Sequence, residues 1–348
     1  MISNIANTSL EMRSGLRIDR GIETRQLCSR QDHVAHGYYS STPENHTYWL
    51  AVFDGHGKDQ VPNQIRNANL QEIMKGPTPW LDLQTIIQSD KVNTHIKNCS
   101  GSTMIYAKVN IAPTHIDLVI NNIGDSTGVV FLNDEPIFVT TPQDYENGAE
   151  MARIIKENRV DVKNPFLLKG QNFDLISPTT LRSVEGKYVV FNGPHGRPEL
   201  SMTQCLGHNG ITGLKPDTTV FRFNRTDKIR VCLCSDGVSD VMPVNGLVSS
   251  STFPFMTSTT KLLDEAERRW KQEWRVQSGS NWKNTYSTSF PTNGYDDCCC
   301  AMISIQPIIV PIGCELPLSV FRPCIVEEVA PAKTINKESE PVEEDIYA

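Results

Sequence analysis

The sequence predicts an α+β fold, with strands in two runs and helices between and after them. Two apolar runs of strand length, Tyr48 to Phe53 and Val231 to Cys234, are each followed closely by an Asp-Gly pair. A third stretch, Thr260 to Arg275, instead repeats its large apolar residues at a spacing near four, which is typical of an amphipathic helix. Strands and helices that are segregated along a chain favour an α+β arrangement.

The elements of the first half follow in order. Gly15 to Asp32 is mixed and charged, which predicts an edge strand and a turn. Val61 to Lys75 carries its apolar residues roughly on one side and predicts a helix that packs on a sheet. Ser100 to Val109 predicts a strand, and Ile116 to Thr140 predicts a meander of three short strands joined by turns.

The second half predicts fewer regular elements. Glu150 to Asn158 predicts a short helix, whereas the polar stretch from Arg159 to Asn192 predicts an irregular segment. Thr219 to Phe223 predicts a strand that precedes the one ending at Cys234. The Ser/Thr/Asn-rich stretch from Gln277 to Asn293 predicts a loop before a last apolar strand, Cys298 to Ile305.

Composition restricts the class of protein. The 348 residues are 39% hydrophobic and carry a formal net charge of −7, as expected of a globular protein with an ordinary core. Residues 327–348 hold seven acidic residues and two lysines, a net charge of −5, which leaves −2 for residues 1–326. A nearly neutral body lacks the basic face of a nucleic-acid-binding protein. We therefore expect no nucleic-acid partner and a monomer.

The division into domains follows from the same charge pattern. Residues 1–326 form one predicted catalytic domain, and residues 327–348 form an acidic tail that we expect to be disordered. Residues 1–13 lack the apolar core of a signal peptide, and Ile303 to Val326 is interrupted by four prolines. We therefore expect an intracellular protein without a membrane anchor.

Five of the ten cysteines are clustered in two predicted strands. Neighbouring residues of a strand point to opposite faces, so Cys298, Cys299 and Cys300 cannot easily pair with one another. We interpret these side chains as buried thiols in a reducing compartment. A zinc site is the alternative, but Cys232 and Cys234 are one residue apart and have no matching second pair.

The strand ending at Phe53 introduces the first candidate site. Asp54 stops the apolar run, and two glycines on either side of His56 permit a sharp turn. A carboxylate beside an imidazole is typical of a site in which the carboxylate binds a metal ion and the imidazole donates a proton. A hairpin turn with a surface histidine would have the same sequence. Asp236 and Asp296 also lie next to apolar strands. Carboxylates gathered at strand ends need a positive partner, and a hard divalent cation with oxygen ligands is the simplest one.

Taken in order, these residues resemble the protein phosphatase 2C family of metal-dependent serine/threonine phosphatases. The resemblance rests on five blocks that cover most of the chain. They are D-G-H-G at Asp54 to Gly57, S-G-S-T at Ser100 to Thr103, G-D-S at Gly124 to Ser126, S-D-G-x-x-D-V at Ser235 to Val241, and D-D at Asp296 and Asp297. It implies a central two-sheet β-sandwich with helix pairs on both outer faces, in a four-layer α-β-β-α sandwich.

The resemblance also implies a set of site residues. Asp54 would bridge two Mg²⁺ or Mn²⁺ ions, and the Gly55 carbonyl would bind one of them. Asp236 and Asp296 would hold the other, with Asp32 acting through water. His56 would protonate the leaving group of a phosphoserine or phosphothreonine on a phosphorylated protein substrate.

Two further assignments are less direct. Asp144, in a segment similar to the family's T-x-D-H, would bind a weaker third ion, and Arg25 would bind the substrate phosphate. Leu27 stands at the usual spacing of that arginine, so Arg25 is the nearer of two candidates, the other being Arg30. Asp125 fits a turn-fixing carboxylate better than a ligand.

The chain departs from the family's pattern at three other positions. Gln31 replaces a glutamate, Thr127 an arginine, and His208 the aspartate of an L-G-D block. These departures leave open a catalytically inactive member that acts as a binding module. A different two-metal hydrolase, such as a nuclease, is disfavoured because the body lacks a basic face.

The first testable prediction concerns the acidic tail. Because residues 327–348 carry most of the net charge and little apolar content, we expect them to contribute nothing to the core. Cutting the chain near Pro331 should leave the thermal midpoint of unfolding nearly unchanged. A drop of several degrees would show instead that the tail packs on the body.

Overall fold

Two antiparallel sheets, one of six strands and one of five, lie at the centre of the protein. The computed structural model describes residues 5–13, 15–89, 99–193, 197–244, 246–279 and 282–308. The predicted acidic tail therefore lies outside the described residues. The first sheet has the strand order β1-β2-β19-β16-β9-β10 and the second the order β15-β8-β7-β4-β3. The strands of the first sheet are β1 Ile5–Arg13, β2 Leu16–Arg25, β9 Thr127–Leu132, β10 Glu135–Val139, β16 Ile229–Cys234 and β19 Cys298–Pro307; those of the second are β3 His33–Thr42, β4 Asn45–Phe53, β7 Met104–Ile111, β8 His115–Ile123 and β15 Asp217–Asn224.

Helices cover the outer faces of both sheets. Three of them, α1 Gln60–Asn67, α2 Leu70–Ile73 and α3 Pro79–Ser89, lie on the five-stranded sheet. On the other side, the short α5 Asp236–Ser239 and the long α6 Thr259–Lys271 pack on the six-stranded sheet. A further helix, α4 Gly148–Lys156, packs in a separate small cluster. Single turns of 3₁₀-helix lie at His208–Gly210, Phe253–Phe255 and Thr292–Gly294, and a longer one at Gly246–Ser251.

Three apolar layers hold this stack together. Leu16, Tyr48 and Ile303 belong to the layer between the two sheets, Trp49 to the layer under α1–α3, and Trp270 to the layer under α6. The predicted four-layer sandwich is therefore confirmed. One difference is that, among the described residues, the outer face of the six-stranded sheet carries one long helix, α6, in place of a pair of long helices. In the part of the chain that the structure describes, no helix is both long and apolar enough to span a bilayer.

Two smaller sheets complete the fold. One consists of β14 Leu206–Gly207, β6 Ser100–Ser102 and β5 Gly55–Gly57, in that order. The other has the order β11-β12-β17-β18, with β13 added to β12. Its strands are β11 Phe166–Ser177, β12 Thr180–Val190, β13 Glu199–Leu200, β17 Glu273–Ser278 and β18 Asn284–Ser289.

The cysteine prediction is confirmed by the packing. Cys299 faces the layer between the sheets, whereas Cys298 and Cys300 face the layer under α6. Cys232 and Cys234 also face α6 and are fully buried. Each of these five side chains is a free thiol, and together they form part of the strand core.

The sheet that contains β11, β12, β17 and β18 contradicts two predictions of irregular structure. Residues 159–192 contain the long antiparallel hairpin of β11 and β12, and residues 277–293 contain β18, which pairs with β17. β11 is largely exposed, and four of its apolar residues come in adjacent pairs, Leu167 with Leu168 and Leu175 with Ile176. The regular alternation of apolar and polar residues that signals a half-buried strand is therefore missing there. Backbone pairing across the hairpin, which no local pattern reports, decides the structure.

Helix limits and strand partners also differ from the sequence prediction. Val61 to Lys75 breaks into α1 and α2, because the Asn69 side chain caps a new helix by accepting from the Glu72 amide. The last predicted helix ends at Lys271, since Gln272 is extended and Trp274 lies in β17. The three strands from Ile116 to Thr140 exist but do not form one meander: β8 joins the five-stranded sheet, while β9 and β10 join the six-stranded sheet. Gly15 to Asp32 is likewise not an edge, because β2 lies between β1 and β19.

A stability prediction follows from the layer under α6. Trp274 is fully buried there and its indole nitrogen donates to the Arg269 carbonyl over 3.1 Å. Replacing it by alanine should lower the free energy of unfolding by about 3–5 kcal/mol, because a large cavity remains. Trp282, which is 39% exposed, is the matched control, and Trp282→Ala should cost about 1 kcal/mol or less. Urea unfolding measures both, and equal losses would show that Trp274 is not part of the cooperative core.

Candidate metal centre

Antiparallel pairing brings four predicted ligands to one end of the sandwich. Asp32 precedes β3 and Asp54 follows β4, and their neighbours His33 and Phe53 are register partners. In the other sheet, Asp236 follows β16 and Asp296 precedes β19, which are also paired. Because one strand of each pair enters where the other leaves, all four carboxylates lie at the same end of the molecule.

The four carboxylates are close enough to repel one another. Burial and the charge of Asp236 raise the pKa of Asp54 well above its ordinary value. Burial, followed by the charges of Asp296 and Asp297, does the same for the pKa of Asp32. Burial and Asp236 raise the pKa of Asp296 to about 8. Among the residues that the structure describes, no lysine or arginine pairs with these four carboxylates, so acidic groups are concentrated here without a side-chain cation.

Two more aspartates share this charge cluster. Burial and the charge of Asp236 raise the pKa of Asp125, which lies in the connection between β8 and β9. Burial, followed by the charges of Asp236, Asp296 and Asp125, raises the pKa of Asp240. The interpretation of Asp125 as a turn-fixing residue did not predict that it belongs to the cluster. For Asp240, its spacing of four from Asp236 could have indicated that both lie at the same site.

Some carboxylate oxygens of the cluster have no hydrogen-bond partner. Among the residues that the structure describes, Asp32 Oδ2, Asp125 Oδ1 and Asp236 Oδ1 are buried and accept no hydrogen bond. Buried charges are normally paired or bound to metals, so these oxygens mark a place where a cation fits. The donor set consists of oxygens, which are the ligands of Mg²⁺ and Mn²⁺.

Hydrogen bonds behind the cluster hold the repelling groups in place. The Asp297 carboxylate accepts from the Cys28 amide (2.8 Å), the Ser29 hydroxyl (2.7 Å) and the Gln31 amide (3.0 Å). It thereby fixes the loop that carries Asp32. The backbone of Gly237 lies against the Asp297 carbonyl so closely that any Cβ there would collide with it.

The segment S-G-S-T supports Asp54 from the other side. The Thr103 amide donates to the Asp54 carbonyl over 2.8 Å, and the Asp54 amide donates to the Thr103 hydroxyl over 3.3 Å. That hydroxyl also bonds the Ser126 hydroxyl over 2.7 Å. Gln31, the departure from glutamate, donates from Nε2 to the Gly57 carbonyl (3.1 Å) and to Asp59 Oδ1 (2.7 Å). An ionised glutamate at this position could not donate either bond.

His56 lies beside the acidic cluster in β5. Its Nε2 atom is 3.0 Å from Nε2 of His208, the residue that replaces the family's aspartate. Burial, and then the neighbouring His208, lowers the pKa of His56 to about 3. His56 therefore carries no charge at neutral pH in this arrangement. Both rings line a cavity of about 390 Å³ that also contains the exposed Arg197.

Arg25 lies on the side of α6. Its guanidinium pairs with Glu23, with Asp264 (2.9 Å) and with Glu267 (3.4 Å), which favours a structural role. Its assignment to substrate phosphate stays a prediction. Arg197 is a candidate that no sequence pattern indicates, because only the fold brings it to the cavity that His56 lines.

Asp144 lies at the start of the segment that leads to α4. Its Oδ1 atom accepts from the backbone amides of Glu146 (2.8 Å) and Asn147 (3.2 Å). After burial and the charge of Asp236, the charge of Asp144 also contributes to the raised pKa of Asp125. It is therefore next to the cluster, and its assignment to a third ion stays a prediction. Thr127, the last departure, is buried in β9 opposite Cys234.

Comparison with known proteins identifies the family. The model of the family Protein phosphatase 2C matches residues 15–250. Protein phosphatase 2C 77 of Arabidopsis thaliana is 24% identical over 265 residues, which make up 69% of this chain and 54% of that protein. The chain thus spans about half the length of this curated relative.

The similarity to solved structures concerns the fold alone. A phosphatase from Toxoplasma gondii has a TM-score of 0.50 and 12% identity, with 87% of this chain and 96% of that chain covered. A sex-determining protein of C. elegans has a TM-score of 0.48 and 18% identity, with 86% and 67% covered. The family model matches more than half of the residues and includes four of the five sequence blocks. The chain belongs to the protein phosphatase 2C family.

Proposed function

We propose that this chain is a metal-dependent phosphatase that hydrolyses phosphoserine and phosphothreonine on proteins. The observation that carries the proposal is the cluster of carboxylates at the end of the sandwich, with raised pKa values and unpaired oxygens, beside a histidine. Membership of the protein phosphatase 2C family supports the same reaction.

The chemistry of the donor set supports two Mg²⁺ or Mn²⁺ ions. In our proposal Asp54 and the Gly55 carbonyl would hold one ion, and Asp54, Asp236 and Asp296 would hold the other. Asp32 acts through water, and Asp144 contributes to a weaker third position. Asp125 and Asp240 add negative charge that would strengthen cation binding. When bound, such ions supply positive charge that neutralises a phosphoryl group and lowers the pKa of water.

His56 supplies the proton donor of the proposed reaction. An alkoxide leaving group needs a proton, and His56 is the histidine next to Asp54 in the chain. Its lowered pKa works against this role. A phosphate dianion in that cavity would raise the pKa of His56, because an opposite charge favours the protonated imidazole. His208, 3.0 Å away, can share the proton until the leaving group takes it.

The rest of the site binds the substrate. The cavity that His56 and His208 line is large enough for a phosphorylated side chain, and Arg197 offers a guanidinium for its phosphate. We propose phosphorylated proteins as the substrates and a monomer as the working form.

A binding module without activity is the second candidate. It is favoured by the contact of His56 with His208, which keeps His56 neutral, and by the carboxylates that surround Arg25. Mn²⁺-dependent turnover of a phosphothreonine peptide distinguishes the two candidates. Turnover by the wild type excludes the inactive module, and its absence with any divalent metal would exclude the phosphatase.

The next testable prediction concerns Asp236, whose charge acts on all the other carboxylates of the cluster. Asp236→Asn should lower Mn²⁺-dependent turnover by more than the roughly 10–100-fold that loss of an outer-shell partner costs. It should also raise the metal-free thermal midpoint by about 2–4 °C per kcal/mol of repulsion removed. The upward shift of the midpoint on adding Mn²⁺ should shrink in the same variant.

Asp217→Asn is the matched control for this experiment. Asp217 is an exposed aspartate at the start of β15, outside the cluster, and its replacement should change none of the three measurements. Wild-type turnover that survives in excess chelator would contradict the metal-dependent mechanism.

The role of His56 is tested by varying the leaving group. His56→Gln should lose roughly 10²–10⁴-fold on a phosphothreonine peptide, whose alkoxide needs a proton, and clearly less on p-nitrophenyl phosphate. His115→Gln, a change of the same kind on a distant strand, should lose nothing on either substrate. Equal losses on both substrates would show that His56 only shapes the turn.

A further inference from the structure

The small three-stranded sheet brings three soft metal-binding side chains together. In this sheet His56 of β5 and Gly207 of β14 are both register partners of Gly101 in β6. Gly101 has no side chain, and a Cβ there would collide with both the His56 and the His208 imidazole. The two rings therefore meet above Gly101, and Cys205 lies just before β14.

The geometry of the three side chains is that of an incomplete metal site. One donor atom from each of His56, Cys205 and His208 lies within 4.8 Å of the other two. The two Nε2 atoms are 3.0 Å apart, while the ring centroids are 5.1 Å apart with planes at 13°. Because the nitrogens are about 2 Å closer than the centroids, the rings meet by their nitrogen edges.

These distances are near those that tetrahedral zinc requires. With Zn–N bonds of about 2.0–2.1 Å and a Zn–S bond of about 2.3 Å, nitrogen ligands lie about 3.3 Å apart and sulfur about 3.6 Å from nitrogen. The nitrogens therefore need to separate by a few tenths of an ångström, and the thiol needs to approach by up to about 1 Å. Side-chain rotations supply movements of this size.

The backbone around His208 indicates that the ring is held in place. Gly207, His208, Asn209 and Gly210 all have positive φ, at 85°, 44°, 51° and 72°. A non-glycine residue in this region is strained, and such strain persists only where the surroundings enforce it. Cys205 and His208 are 0% and 3% exposed, so both donors are already withdrawn from water.

We propose that His56, Cys205 and His208 form a zinc site separate from the carboxylate cluster. Two imidazoles and a thiolate suit Zn²⁺, whereas the oxygen ligands of the cluster suit Mg²⁺ and Mn²⁺. On binding, a Zn–S bond forms and the Cys205 thiol releases its proton to solvent. The fourth coordination position would stay open towards the cavity. Inhibition follows as a consequence that rests on the proposed function, because zinc on His56 Nε2 removes the proton donor.

A hydrogen bond between two neutral imidazoles also explains the 3.0 Å separation, but it does not involve Cys205. The thiol therefore decides between the two interpretations. The test uses the full chain in excess Mg²⁺, which fills the oxygen site, and measures Zn²⁺ affinity by competition with a chromophoric chelator. We expect one tight equivalent of zinc, and at least a 10–100-fold weaker affinity in both Cys205→Ala and His208→Asn.

Matched controls separate a local effect from a general one. Cys232→Ala removes another fully buried thiol and His115→Asn another histidine, and neither should change the zinc affinity. Addition of Co²⁺ to the wild type should produce a thiolate charge-transfer absorption in the near ultraviolet. Cys205→Ala should abolish that absorption, and Cys232→Ala should keep it.

Several results would overturn the proposal. They are zinc binding that Mg²⁺ displaces, an affinity that neither variant changes, or a wild type without the cobalt–thiolate absorption. If Cys205→Ala does not fold, as judged by circular dichroism, His208→Asn and the wild-type absorption decide. Because binding is measured without turnover, an inactive wild type that binds zinc would refute the phosphatase proposal alone. An active enzyme without the zinc site would refute this inference alone.

Discussion

Repulsion between buried carboxylates is the constraint on which the architecture of this end of the protein depends. The two sheets deliver Asp32, Asp54, Asp236 and Asp296 to one place, and burial there raises the pKa of three of them. The arrangement costs folding free energy at neutral pH, because the unfolded chain would leave these groups apart and solvated. A cation that binds only the folded state returns that free energy, so metal binding and stability are linked.

In the described part of the chain, hydrogen bonds with backbone amides and hydroxyls hold the repelling groups in place, rather than basic side chains. The Asp297 carboxylate fixes the loop before Asp32 through three hydrogen bonds, and Thr103 fixes Asp54 through two. Gly237 allows the turn after β16 to lie directly against the start of β19. Such a frame preserves the negative potential, since in the described part of the chain no arginine or lysine pairs with these carboxylate oxygens.

Two chemically different donor sets lie side by side at this end. One consists of carboxylate oxygens, and the other of the nitrogens of His56 and His208 with the sulfur of Cys205. In the two proposals, hard and soft cations would therefore have separate places to bind. His56 is next to both sets, because it follows Asp54 by two residues and meets His208 above Gly101. In the proposed enzyme this makes one imidazole the point where zinc would act on a reaction that depends on magnesium or manganese.

Local patterns of residues were sufficient to predict several features of the fold and of the site. Apolar runs that stop near Asp54 and Asp236 predicted strands followed by carboxylates. The order of the five sequence blocks indicated the family. Adjacent cysteines predicted opposite faces of a buried strand, and a spacing near four predicted most of α6. These predictions succeeded because side-chain direction follows from residue spacing within a single element.

Strand pairings and side-chain contacts between segments distant in the sequence could be seen only in the tertiary structure. It assigned β8 and β9 to different sheets, and it formed the hairpin of β11 and β12 from a stretch without periodic apolar residues. It also placed the Arg25 guanidinium among carboxylates of α6 and the His208 ring against His56. No local pattern encodes these contacts, because each depends on which backbone groups and charges another segment brings within reach.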